Sequence, residues 1–162
     1  MILAAGLMAA SSPAATDPRQ DASEHTRAAN ESVLGELPFA NEDDFSLAER
    51  GFIAKPESTV IHDAAGNVVW NMEQFAFEAG DAPATVNPSL WRQARLNNRH
   101  GLFRVADGIY QVRGFDLSNL SVIEGESGYI VVDPLITREV AKAAMDLVFE
   151  HLPRKPVVAV IY

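Results

Sequence analysis

The chain has 162 residues, of which 48% are hydrophobic and 22% charged, and it contains no cysteine. A formal charge of −9 and an isoelectric point near 4.8 exclude a general affinity for nucleic acid or an anionic membrane, since a surface of that sign repels both. Without cysteine there is no disulfide, thiolate nucleophile or Cys-bound zinc, and the apolar fraction is enough for a packed core.

In chain order, Met1–Ala10 is a short apolar run, and Ser11 to Ala15 supply the small residues of a cleavage site. Residues 1–15 therefore read as a signal peptide, one with no Lys or Arg ahead of its apolar run. The run is too short for a stable membrane span and implies a periplasmic or secreted protein. Residues 16–104 read as an α-rich amino-terminal extension carrying a β-hairpin. From Asp17 to Glu57 there are ten acids and four bases, so most of the chain's negative charge lies early. Asn41 is placed to cap a helix over 42–50, with Gly51 stopping it. The acid run Glu42-Asp43-Asp44 suits the positive end of that helix better than a metal. Phe45, Leu47, Phe52 and Ile53 are the residues that would dock it. Val60–His62 and Val68–Trp70 flank a Gly-containing turn and predict a hairpin. His62, with no second His at ligand spacing, reads as an exposed strand residue.

Asn87 followed by Pro88 is a strong helix start. Arg92, Arg95, Arg99, Arg104 and His100 follow with no acid among them. They form either an anion-attracting patch or the partners of the acidic segment upstream; the charge excess there favours the second. From Gly108 the pattern is strand, strand, strand, helix, strand. Ile109, Val112, Leu120, Val122, Ile130 and Val132 lie in short β-type runs, and Gly125 to Gly128 make a turn between two of them. Thr137 is a suitable cap for a helix whose stripe is Val140, Ala144, Val148 and Leu152, with Ala141 and Met145 beside it. Pro156–Tyr162 is nearly all apolar, as expected of a strand buried on both faces, and strand-helix-strand implies a right-handed parallel crossover.

The residues carry no Gly-rich phosphate loop, Gly-x-Ser-x-Gly elbow or His-Glu-x-x-His helix. The four histidines, His25, His62, His100 and His151, are too scattered to grip zinc. Taken alone, the residues show no catalytic constellation.

Three blocks nevertheless resemble one family. Thr85-Val-Asn-Pro-Ser-Leu-Trp-Arg-Gln-Ala-Arg-Leu-Asn97, Gly101 to Gly114, and Asp116 to Gly125 with Ile130 to Leu135 are similar to the linear (primary) alkylsulfatases of the metallo-β-lactamase superfamily. The strand-turn-strand-Asp-Pro pattern would suit the whole superfamily, including lactamase-like and thioesterase-like hydrolases. The Asn87–Gln93 block suits the alkylsulfatases. The resemblance runs from about residue 40 to 162. It implies an α/β fold: an incomplete metallo-β-lactamase-like αββα sandwich, of which 105–162 would be the first strands and first crossover helix, ending before the metal-binding loop. It implies hydrolysis of fatty-alcohol sulfate esters, of the dodecyl sulfate type, to alcohol and sulfate at a binuclear zinc site, in a homodimer. No zinc ligand and no catalytic residue of that family falls on a residue of this chain, which by itself would be inactive. In the superfamily the loop corresponding to Arg113–Asn119 overhangs the metal site. Phe115, Leu117 and Asn119 are therefore candidate contacts to substrate, and Asp116 and Asp133 candidates for supporting the groups around the metal. The competing reading is that they serve the turn and the core. A stand-alone interaction module is the reading from a different class, and a poorly covered final strand argues against it.

Overall fold

The computed structural model describes residues 21–162. The expected signal peptide lies outside them. Among the described residues no helix is long and apolar enough to cross a membrane.

Two helices open the fold, α1 (Glu24–Glu36) and α2 (Asp43–Glu49). Asn41 accepts from the Asp43 N–H at 2.8 Å, so it supports the α2 start from one residue outside the cap position. Gly51 then takes φ 74 and leads into β1 (Phe52–Ala54). The hairpin forms as expected from β2 (Val60–His62) and β3 (Val68–Asn71). The Asp63 carboxylate closes its turn, accepting from the N–H groups of Ala65 and Asn67 and from Asn67 Nδ2. These bonds hold the Asp63 carboxyl below its ordinary range. His62 is exposed. A short 3-10 turn, Met72–Phe75, follows.

Helix α3 (Pro88–Asn97) starts as the Asn-Pro pair predicts, with Asn87 Oδ1 accepting from the Ser89 N–H at 2.9 Å. Strands β4 (Gly101–Ala106), β5 (Ile109–Arg113), β6 (Leu120–Glu124) and β7 (Tyr129–Val132) form an antiparallel meander. Helix α4 (Arg138–His151), capped by Thr137, crosses to β8 (Val157–Ile161), which pairs parallel with β7. The sheet order is β1-β4-β5-β6-β7-β8. It thus draws β1 and β4 from within or across the residues read as an extension, and one continuous sheet joins them to the later strands.

The core lies on one face of this sheet. Leu102, Val112, Leu120, Val122, Tyr129 and Val131 meet Val140, Ala144, Leu147 and Val148 of α4 and Ile61 and Met72 from the hairpin region. The period of two in β6 and β7 and the helical stripe of α4 explain that assembly. One expectation is corrected here. β8 is not buried on both faces: all five of its residues are exposed, Val158 by 53%. Among the described residues it is the edge strand, with a partner on one side alone, and α4 shields the sheet further in.

Candidate functional site

The meander and the parallel crossover bring several chain reversals to one end of the sheet. β5 ends there, β6 begins there, and β7 and β8 both finish there, the Asp133 N–H donating to the Ile161 carbonyl at 2.8 Å. The carboxyl ends of parallel strands are where α/β proteins place functional loops. Two loops occupy this end, 114–119 and 133–137.

Asp116 joins them. It is only 8% exposed, and its carboxylate is fully engaged. Oδ1 accepts from the Ser118 N–H at 2.7 Å and from the Ser118 hydroxyl at 3.2 Å, while Oδ2 accepts from the Ile136 N–H at 2.7 Å. Part of this is the turn-satisfying role expected of an Asp in a loop. The bond to Ile136, twenty residues on, is the added element. The loop it holds contains Asp133 at φ 53 and Leu135 at φ 72, left-handed conformations that side chains disfavour.

The other predicted residues separate. Phe115, expected to reach an alkyl chain, has no exposed surface and belongs to the core. The chain turns at Gly114, φ 77, and the ring goes inward beneath the loop. Leu117 is 85% exposed, and Asn119 is exposed beside it. Asp133 is exposed, and its observed tie is through the backbone N–H rather than its carboxylate.

A cleft of about 810 Å³ opens against this loop. Its walls come from α2, the Trp70–Phe75 segment, the end of α3 through His100, and residues 113–119. Gly114 lies in its wall. The Trp70 indole N–H donates to the Gly114 carbonyl at 2.9 Å, and His100 packs so closely that a Cβ on Gly114 would lie 2.5 Å from His100 Cβ. Arg113 donates to Gln111 Oε1 at 2.7 Å and to the Ala48 carbonyl at 3.2 Å, with its guanidinium 4.3 Å over the Phe103 ring. Burial lowers its pKa from the ordinary arginine value. Burial, then the Lys55 cation, holds His100 below the usual imidazole value, the Asn98 carbonyl and Glu73 opposing more weakly.

The arginine run follows the second of its two readings. Arg92 pairs with Asp44 at 3.3 Å and Arg99 with Glu49 at 3.0 Å; Arg104 pairs with Asp107 instead. Arg92, Arg95 and Arg99 also surround the Phe45 ring at 4.7, 5.0 and 5.8 Å, which docks α2 on α3. Among the described residues no three His, Asp or Glu side chains converge to hold a metal. The described residues therefore do not fit a zinc centre. Sequence reading missed the cleft because its walls come from four separated segments. Trp70, whose indole N–H needs a partner when half-buried, was the one local pointer.

Comparison with known proteins gives a consistent picture. No family model matches the chain. It is 48% identical to a linear primary-alkylsulfatase of Pseudomonas sp. over 163 residues, covering 99% of this chain and 24% of that protein. It is 53% identical over 142 residues to an (R)-specific secondary-alkylsulfatase of Pseudomonas sp., covering 87% and 21%. An alkyl/aryl-sulfatase of Saccharomyces cerevisiae, BDS1, is 47% identical over 138 residues, covering 85% and 21%. The solved structure of the stereoselective inverting sec-alkylsulfatase Pisa1 from Pseudomonas sp. superposes with a TM-score of 0.80 at 53% identity, over 88% of this chain and 23% of that one. The chain spans about a quarter of the length of these relatives or less.

Proposed function

We propose, from homology to alkylsulfatases over most of the chain, that it is the amino-terminal part of an alkyl sulfatase. The observation that carries this reading is identity of 47–53% to three alkylsulfatases combined with the same α/β fold. The substrates would be sulfate esters of fatty alcohols, of the dodecyl sulfate type, hydrolysed to alcohol and sulfate in an exported homodimer. The two zinc ions that the family resemblance implies would polarise water and stabilise developing charge on the ester. By that resemblance they would be held by residues outside this chain. The chain's own contribution is positional. Asp116 fixes loops 114–119 and 133–137 together at the end of the sheet where β7 and β8 finish. Leu117 and Asn119 sit on the exposed side of that loop and would meet substrate, with Asp133 beside the strand end.

A chimera tests the reading. The aligned segment of the Pseudomonas sp. primary alkylsulfatase is replaced by this chain, and sulfate release from dodecyl sulfate is measured with and without a zinc chelator. Chelator-sensitive hydrolysis by the chimera, and none by the 162-residue chain alone, is expected. A folded but inactive chimera would falsify the assignment.

A further inference from the structure

One arginine in the cleft wall carries a charge without a counter-charge. Two arginines line the cleft, Arg99 and Arg113. Arg99 has the Glu49 carboxylate at 3.0 Å, whereas among the described residues Arg113 has no acid within ion-pair distance. The acids of the lining are engaged elsewhere or remote. Asp44 pairs with Arg92, and Asp116 is held by its three donors. Glu78, the third, does nothing to raise the Arg113 pKa against the burial that lowers it. The guanidinium is nonetheless fixed, by neutral groups alone. Nε donates to Gln111 Oε1 at 2.7 Å, and Gln111 Nε2 donates in turn to Ser121 Oγ at 3.4 Å. Nη1 donates to the Ala48 carbonyl at 3.2 Å, and the group lies 4.3 Å from the centre of the Phe103 ring. Among the described residues Nη2 has no hydrogen-bond partner, and it is not one of the buried unpaired nitrogens, which are Arg99 Nε and His100 Nδ1. It is therefore open to solvent. A half-buried cation without a counter-charge is costly, and a neutral side chain would bridge β5 to α2 without that cost. A rigid guanidinium with one free donor edge suits an oxyanion. Asn119 adds a neutral side-chain amide to the same lining. We infer that Arg113 binds an oxyanion of the sulfate class in this cleft, through Nη2. The net charge of −9 works against anions in general, so the attraction is local to this guanidinium. Naming sulfate, as the ester group or as the released ion, rests on the function proposed above; the site for an oxyanion does not.

The test titrates the 162-residue chain with sodium sulfate and with sodium methyl sulfate, ionic strength being held constant with sodium chloride. The ¹⁵N resonance of Arg113 Nε is the reporter, and that of Arg99 Nε, whose charge Glu49 already meets, is the internal control. A saturable shift at Arg113 but not at Arg99 is expected, with a Kd of about 1–10 mM. Tighter binding of methyl sulfate would assign the site to the ester group, and tighter binding of sulfate to the released ion. Arg113→Met should abolish binding, and Arg113→Lys, which keeps the charge but loses the planar fork, should weaken it by about fivefold or more. Should neither variant fold, the parent chain decides through its two Nε resonances. Three results would each overturn the inference: no saturable shift at Arg113, an equal shift at Arg99, or sulfate binding that survives in Arg113→Met. A guanidinium that merely bridges β5 to α2 would give the first of these. An inactive chimera with intact sulfate binding would remove the sulfatase reading and leave the oxyanion site standing, whereas an active chimera without binding at Arg113 would remove the site alone.

Discussion

Asp116 is the residue on which the site end of the sheet depends. A carboxylate buried to this degree persists because three donors meet it, one of them from a loop twenty residues away. Asp116→Ala leaves the Ser118 and Ile136 N–H groups without acceptors. It should cost about 3 kcal/mol, read as a lowered urea midpoint. Asp116→Asn keeps one carbonyl oxygen and should cost about half as much. In both variants the Ile136 amide should exchange faster, while core amides such as Val122 change only with global stability. Unchanged exchange at Ile136 would show that the loop holds its left-handed residues unaided. Phe115→Ala should act through the core and cost about 3–5 kcal/mol. His100 gives a pH prediction. Its folded pKa lies below the ordinary 6.5, so the unfolded chain takes the proton first as pH falls. This contribution is present above 6.5 and is lost as pH drops through the lowered folded value. The slope of Tm against pH below neutrality should therefore be shallower in His100→Leu. Parallel slopes would remove His100 from the account.

At the scale of elements, what was legible in the sequence was what local rules encode. Asn87-Pro88, Thr137 and the α4 stripe, and the Gly125–Gly128 turn all form where short-range preference puts them. Strand β1 and the pairing of β4 were not legible, because a three-residue strand has no periodicity and is defined by its partner. The burial of β8 failed for a related reason: an apolar run records what a strand tolerates, not which neighbours are beside it. The site was legible only in part. Asp116 stood out as a loop acid, but its bond to Ile136 depends on two loops meeting in space. The same distinction separates two glycines. Gly66 and Gly114 both have positive φ, but a Cβ on Gly66 meets nothing, whereas one on Gly114 runs into His100. Gly66→Ala should cost about 1 kcal/mol from backbone strain alone. Gly114→Ala should cost about 3 kcal/mol or more and disturb Trp70 fluorescence, since the Trp70 indole is bonded to the Gly114 carbonyl. Equal costs in thermal melts would mean that His100 yields freely.

At the scale of the whole molecule, the sheet has two unequal edges. β1 is three residues long, which blunts it. β8 is five residues long and offers free backbone groups beside exposed Val157, Val158, Val160 and Ile161. No proline or charge interrupts it from Val157 to Ile161, although its pairing with β7 shifts register between Val157 and Ala159. Natural edge strands are usually protected by such devices, and a long apolar edge without them recruits another strand. The 162-residue chain, on its own, should therefore self-associate through β8 as its concentration rises. The net charge of −9 opposes association over the rest of the surface, and added salt, by screening it, should strengthen the effect. Val158→Lys places a charge on this exposed edge without touching the core residues of β7 or α4. It should restore a concentration-independent sedimentation coefficient and leave the unfolding midpoint of the dilute protein within about 0.5 kcal/mol of the parent. The same substitution on an interior strand position such as Val131 should unfold the chain, because Val131 is 3% exposed. Self-association that persists unchanged in Val158→Lys would locate the contact elsewhere and show that β8 is adequately protected by its single partner.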